Sequence, residues 1–398
     1  MPTALKLLCI IGCFTVLSCK PHNDVSSDQD IIDRSCVQVR ESLSSIDANK
    51  ENNTIVFPRT ESEDGVLHLV GKRDWTSGFY PGILWLADEL SDTDEFKASA
   101  VHYTELLEEE KFNSSNHDLG FKMMPSYGLA YAATGNKAYR DVLVQSARTL
   151  ITRFNENVGC IRSWDHHKDK WDYPVIIDNL MNLELLMFAW HETNEPSFYN
   201  IAVAHARTTM KNHFREDYSS YHVVSYDPTT GEVMARNTHQ GFADESSWAR
   251  GQAWALYGYT MLYRETQLPE FLAQAEHVAH YIIHDAQLPS DHIPFWDFDD
   301  TDIPNVPKDA SAAAVMASAL YELSTFSDAH SVEYVGVADD MMHSLYSDAY
   351  FNEAGTHNGF LLSHSTGSLP RDSEIDVPLV YADYYFLEAL KRKISLNK

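Results

Sequence analysis

The sequence is poor in cysteine, poor in positive charge and short of long apolar runs. Five cysteines occur in 398 residues. None belongs to a Cys-x-x-Cys pair, which argues against a disulfide framework and against a cysteine-rich zinc module. Lys and Arg total 30 against 58 Asp and Glu, giving a formal net charge of −28. That balance argues against nucleic acid and anionic membrane surfaces as partners. It leaves room for a small anionic substrate, because a local Arg or His cluster overrides the global field. There is no GxGxxG, no Walker loop, no HExxH and no GxSxG. Nucleotide binding, zinc-dependent hydrolysis and serine-triad chemistry therefore lose their usual signatures. Strand-like segments are few.

The first residues read as a targeting segment. Lys6 supplies a thin positive region, and the apolar run Leu7–Leu17 is too short to span a bilayer. Val16-Leu17-Ser18-Cys19 resembles a lipobox, whose cysteine becomes a lipidated N-terminus. The expectation is a lipoprotein-type signal peptide over 1–19, a polar tether over 20–28 and one catalytic domain over 29–398. An ordinary cleaved signal peptide is the alternative. Either reading places the protein in the cell envelope of a Gram-negative bacterium, in the periplasm or as an outer-membrane lipoprotein. With Cys19 lipidated, only Cys36 and Cys160 remain, and no structural disulfide is expected.

What the chain does have is helical periodicity. Apolar or amphipathic patterns predict about twelve helices, near 28–48, 77–91, 94–111, 120–134, 137–154, 174–192, 197–215, 246–265, 269–285, 309–325, 331–347 and 377–393. A loop followed by an aromatic early in the next helix recurs, at Phe96, Tyr139, Phe198, Phe271 and Tyr334. Each aromatic is expected to plug the packing between successive hairpins. Six hairpins imply an all-α, closed (α/α)6 toroid; an open helical solenoid is the competing architecture. Two small β-hairpins are expected, Asn52–Phe57 with Leu67–Val70 and Tyr221–Tyr226 with Glu232–Ala235. No Pro- or Ser-rich linker divides the chain.

The stretch Asp172–His191 is apolar almost all round and predicts a buried helix with Pro174 in its first turn. Asp178 lies inside that prediction, with Asn182 four residues on along the same face. A carboxylate in an apolar wall is expected to have a raised pKa. A structural aspartate paired to a buried arginine is the other reading. Further polar residues sit at loop-to-helix junctions. Asn116-His117-Asp118 precedes one helix, where Asp118 also suits a cap. Thr238–Trp254 holds His239 and Gln240 in a polar loop, then Arg250 and Trp254 at i and i+4. Arg250 calls for an anion, either a ligand or a structural carboxylate. Trp164 precedes His166 and His167, a pair read as solvated, so no metal ligands are assigned. His364–Asp376 is a polar loop ahead of the final helix. In a six-hairpin toroid, the N-terminal ends of alternate helices gather at one mouth. Asp118, Asp178 and Arg250 fall at or near such ends, and two carboxylates, a cation and several aromatics in one mouth fit sugar chemistry.

At these residues the chain resembles the unsaturated glucuronyl hydrolases, family 88 of the glycoside hydrolases, over about 80% of its length. The motifs are Trp75-Thr76-Ser77-Gly78-Phe79-Tyr80-Pro81-Gly82, His117-Asp118-Leu119-Gly120-Phe121, Ile177-Asp178-Asn179-Leu180-Met181-Asn182, Thr238-His239-Gln240-Gly241, Ser247–Trp254 and Tyr381-Ala382-Asp383-Tyr384-Tyr385. Tyr80 stands where the family pattern leads one to expect Trp. The resemblance implies an (α/α)6 barrel without metal or other cofactor. It implies release of a Δ4,5-unsaturated uronic acid from the non-reducing end of lyase-generated glycosaminoglycan oligosaccharides of chondroitin, hyaluronan or heparan type. It makes Asp178 the general acid/base and Asp118 its supporting carboxylate. It places Trp75, His117, Trp164, His222, His239, Gln240, Arg250 and Trp254 at substrate-contact positions, with Ser365 and Ser368 in a loop where some members recognise sulfate. The alternatives are an unsaturated rhamnogalacturonyl hydrolase and a non-catalytic surface glycan-binding lipoprotein. The partner expected in each case is a glycan, with a lipid anchor at Cys19 and an open oligomeric state.

Overall fold

The computed structural model describes residues 27–397. The predicted targeting segment, the lipobox and most of the tether lie outside the described residues. In chain order the helices are α1 (Asp28–Asn49), α2 (Phe79–Ser91), α3 (Lys97–Glu105), α4 (Leu119–Met123), α5 (Leu129–Thr134), α6 (Lys137–Ile151) and α7 (Asn179–Thr193). There follow α8 (Pro196–Asn212), α9 (Ala249–Thr266), α10 (Pro269–His280), α11 (Ala310–Leu323), α12 (Ser331–Leu345) and α13 (Val380–Leu396).

These helices form two concentric rings, and the inner ring closes. Helix α4 packs on α7, α7 on α9, α9 on α11, α11 on α13 and α13 back on α2. The turn Met124–Gly128, between α4 and α5, packs on α2 and completes the circle. Contact between α13 and α2 excludes the open solenoid, which would leave first and last repeats apart. The fold is an (α/α)6 barrel, as expected. Inner helices are buried on nearly every side; in α11 only Glu322 among its 14 residues is not buried. That is why they read as apolar all round. The outer ring is α1, α3, α6, α8, α10 and α12, each packed against an inner neighbour. All five repeat aromatics are buried. One hydrophobic core runs from Ile31 to Leu390. Cys36 and Cys160 are both buried and unpaired.

Four predicted elements differ from the structure. Pro174 does not open a helix. Residues Pro174–Ile176 form a short strand that pairs antiparallel with Val223–Tyr226, which in turn pairs with Val233–Asn237. Val175, Ile176 and Ile177 are β-branched and suit extended backbone, and proline is tolerated at a strand's first residue. Helix α7 therefore starts at Asn179, and Asp178 stands at its N-terminus rather than inside it. The single helix expected over 120–134 is broken by a π turn that contains Pro125. The helix expected over 94–111 ends at Glu105 and is followed by the 3-10 turn Glu108–Phe112. The first hairpin is Ile55–Glu61 paired with Leu67–Gly71, a longer first strand than expected.

Candidate active site

The site is assembled where α4 meets α7. Gly120, in the first turn of α4, lies so close to Asn182 that an added Cβ would sit 2.3 Å from the Asn182 Cα. Only glycine permits that approach. The Asn182 Oδ1 accepts a hydrogen bond from the Phe121 N–H at 3.0 Å and locks the two helices together. The residues just before the two helices, Asp118 and Asp178, are thereby brought to one cleft. Asp118 occupies the cap position of α4, but its side chain makes no capping hydrogen bond. Its carboxylate is left for the cleft, with the buried His117 Nε2 3.2 Å from Oδ1.

Asp178 is buried, and its pKa is pushed up to about 7. Desolvation is the main cause. The negative charge of Asp118 adds to it, while Arg250 and a hydrogen bond from the Trp254 side chain oppose it. A helix N-terminus favours a charged carboxylate, yet burial wins here. His222 stands behind Asp178. Its Nδ1 accepts the backbone N–H groups of His239 at 3.1 Å and Gln240 at 3.2 Å. An Nδ1 used as acceptor puts the ring proton on Nε2. That Nε2 points at the Asp178 Oδ2 from 3.7 Å. Neither of these two buried atoms has another partner. Burial holds the His222 pKa well below the ordinary histidine value, so the ring is neutral.

The cleft encloses about 310 Å³. Of the residues expected at the site, Trp75, His117, Asp118, Trp164, Asp178, His239, Gln240, Arg250 and Ser368 line it. Three others do not. His222 is behind Asp178, as described. Trp254 is 1% exposed, wedged between Phe121 and Tyr385, so it is no stacking platform for a sugar and acts on Asp178 instead. Ser365 is fully buried and paired through its backbone with Val377. Tyr80, the departure from the family pattern, is also remote: it is buried on Ser42 and Tyr103, away from the cleft.

Arg250 resolves toward the structural carboxylate. Its Nη1 donates to Asp309 Oδ2 and to the Thr366 carbonyl, both at 2.6 Å, and its Nη2 donates to the Gly367 carbonyl at 2.6 Å. Asp309 also caps α11 through the Ser311 N–H. The guanidinium thus ties α9, α11 and the loop carrying Ser368 into one wall. Gln240 donates to the same Gly367 carbonyl at 3.2 Å.

Sequence reasoning missed Arg59 and Glu374, which also line the cleft. Arg59 Nε donates to Glu374 Oε1 at 2.5 Å and its Nη1 to Asp74 Oδ2 at 2.8 Å. Glu374 sits in the polar loop already singled out, but nothing in the sequence pairs it with an arginine 315 positions earlier. Phe121 and Tyr381, both inside the quoted motifs, complete the floor.

The profile of Glycosyl Hydrolase Family 88 matches residues 47–291. The chain belongs to glycosyl hydrolase family 88. It is 50% identical over 342 residues to an unsaturated glucuronyl hydrolase of Formosa agariphila, covering 85% of each chain. It is 34% identical to an unsaturated chondroitin disaccharide hydrolase of Streptococcus pneumoniae, over 84% of this chain and 86% of the relative. Among solved structures, an unsaturated glucuronyl hydrolase specific for heparin superposes with a TM-score of 0.88 at 47% identity, covering 93% of this chain and 98% of that one. The family assignment fits the site: a pair of carboxyl groups, one of them the buried Asp178 with its raised pKa, in an aromatic cleft is what a glycosidase needs.

Proposed function

We propose that this family 88 enzyme hydrolyses the Δ4,5-unsaturated uronic acid from the non-reducing end of glycosaminoglycan oligosaccharides, of chondroitin, hyaluronan or heparan type. The observation that carries the reading is Asp178, a buried carboxyl held protonated to about pH 7 in a cleft it shares with Asp118. The substrate's C4=C5 bond is a vinyl ether. Asp178 protonates C4, and the positive charge spreads over C5 and the ring oxygen. The Asp178 carboxylate so formed takes a proton from water as that water adds to C5. The product hemiketal opens and releases the remaining sugar. The acid is restored, and no bond is displaced directly at the anomeric carbon.

The surrounding residues have separate tasks. The neutral Nε2–H of His222 faces Asp178 Oδ2 and so directs the acidic proton to Oδ1. Asp118 keeps Asp178 from ionising early and accepts hydrogen bonds from sugar hydroxyls. Trp164, largely buried in the cleft wall, and Trp75 offer apolar surface to the flat ring. Donors for the substrate carboxylate come from His239, Gln240 and Arg371, which line the cleft; Arg250, engaged by Asp309, braces them from behind. The names of the relatives support a glycosaminoglycan substrate.

The test is Asp178→Asn against a panel of lyase-generated disaccharides, sulfated and unsulfated, followed by loss of the enoate's ultraviolet absorbance. Wild type is expected to consume one or more of them and the variant none. Unimpaired turnover in the variant rejects the assignment. Turnover only of an unsaturated rhamnogalacturonan fragment moves the substrate class, and saturable binding without turnover makes the protein a glycan-binding module.

The lipobox supports a second element of the proposal, export and lipidation of Cys19 at the cell envelope. Metabolic labelling with a fatty acid is expected to mark wild type and not Cys19→Ser. A soluble, unlabelled wild type would leave only a cleaved signal peptide.

A further inference from the structure

Two loops that the proposed chemistry does not fully use meet at the rim of the cleft. His166 and His167 lie between the strands Cys160–Ile161 and Pro174–Ile176, and His239 follows the strand Val233–Asn237. Each ring offers a nitrogen, and the three nitrogens lie within 4.8 Å of one another. In the sequence His166 and His167 look like a solvated pair; the third ring arrives only through the fold. The rings are also held. Trp164 stacks on His166 with centroids 5.1 Å apart, and Trp171 meets His167 edge-on at 5.9 Å and His239 at 5.4 Å. The indole of Trp171 is fixed in turn by Asn237 at 3.1 Å.

We infer that His166, His167 and His239 form a binding site for a divalent transition-metal ion, with Zn²⁺ as the ion of choice, and that its occupancy inhibits the enzyme. Three imidazoles leave a fourth tetrahedral position open, and imidazole nitrogens suit zinc, nickel and copper better than they suit magnesium or calcium. Metal–nitrogen bonds in such a site are about 2.0–2.1 Å long.

One group opposes the ion. The Arg371 guanidinium lies against the His239 ring. Arg371 is exposed, and among the described residues it has no acidic partner. Its long side chain is free to swing into solvent when a metal takes its place. His166 and His239 line the cleft and His167 does not, so an ion held by all three lies at the cleft's edge. A bound ion therefore sits where the sugar enters, and zinc competes with substrate. This inhibition rests on the hydrolase reading; the binding does not.

The experiment is calorimetric titration of the untagged chain with Zn²⁺ alone, beside turnover with and without Zn²⁺. Wild type is expected to bind one ion saturably. His167→Ala, which removes a ligand outside the cleft lining, should weaken that binding about tenfold or more while keeping zinc-free turnover and thermal stability. Arg371→Ala should tighten it. His284→Ala, which breaks the exposed His280–His284 pair, should leave it unchanged. In wild type Zn²⁺ should raise KM with little change in kcat, and His167→Ala should escape that effect. Wild-type affinity in His167→Ala, or loss in His284→Ala instead, overturns the site. Saturable binding with an unchanged KM overturns the inhibition. Absence of turnover in zinc-free wild type counts against the hydrolase reading and not against the metal site.

Discussion

Asp178→Asn should make the protein more stable while removing its activity, and the gain should depend on pH. An ordinary aspartate ionises near 3.8, and Asp178 in the folded chain does so at about 7. Between those values the folded state keeps a proton that the unfolded state has released. Where the folded state binds more protons, stability falls as pH rises. The penalty is absent below about pH 3.8 and complete above about pH 7. Three powers of ten in proton affinity correspond to about 4 kcal/mol, an upper bound. Asparagine keeps the shape, but its amide retains some desolvation cost, so roughly 2–4 kcal/mol should be recovered. For a chain of this length that is a rise in Tm on the order of 3–5 °C. Asp383, whose carboxyl burial pushes up to about 8, is common to both proteins and cancels. The assay is calorimetric melting of wild type and variant at pH 4.5 and pH 8. The variant should melt well above wild type at pH 8 and close to it at pH 4.5. Equal shifts at both pH values, or destabilisation at pH 8, would refute an uncompensated buried acid.

The same acid sets the basic limb of the pH–rate profile, because only its protonated form donates to the alkene; turnover should decline as pH rises through about 7. Trp254→Phe removes a hydrogen bond that lowers the Asp178 pKa and should move that limb to higher pH, whereas Asp118→Asn removes a charge that raises it and should move the limb of the residual activity to lower pH. Shifts of the same sign in the two variants would break the assignment. Asp309→Ala leaves the Arg250 guanidinium buried without its counter-charge and should cost about 3–5 kcal/mol in denaturant unfolding. A loss below 1 kcal/mol, on the scale of an exposed pair, would mean the ion pair does not hold the wall. Gly120→Ala forces α4 away from Asn182 and should lower kcat without a matching change in KM, read from steady-state kinetics. Wild-type kcat in that variant would show that the spacing of the two aspartates tolerates movement.

Much of the fold was legible in the sequence because helix periodicity is a local property. Inner helices read as apolar all round and outer ones as amphipathic, and the aromatic that opens each hairpin recurs where it is buried. The misreadings were local as well. Val175, Ile176 and Ile177 are as apolar as a buried helix, and their β-branching, which favours a strand, carried less weight than the run they begin. Asp118 and Asp178 were found because a polar group beside an apolar helix is conspicuous.

The sequence by itself determined which residues are chemical candidates and that their helices alternate. Only the tertiary structure decided what each candidate does. Closure of the ring through α13 and α2 places residues from distant segments around one cavity. Desolvation and charge then act through space: Asp118 raises the acidity threshold of Asp178, Asp309 claims Arg250, and two backbone amides fix the tautomer of His222. Arg59 with Glu374, and the three histidines at the rim, exist as groups only after folding, because no spacing along the chain encodes their distance in space.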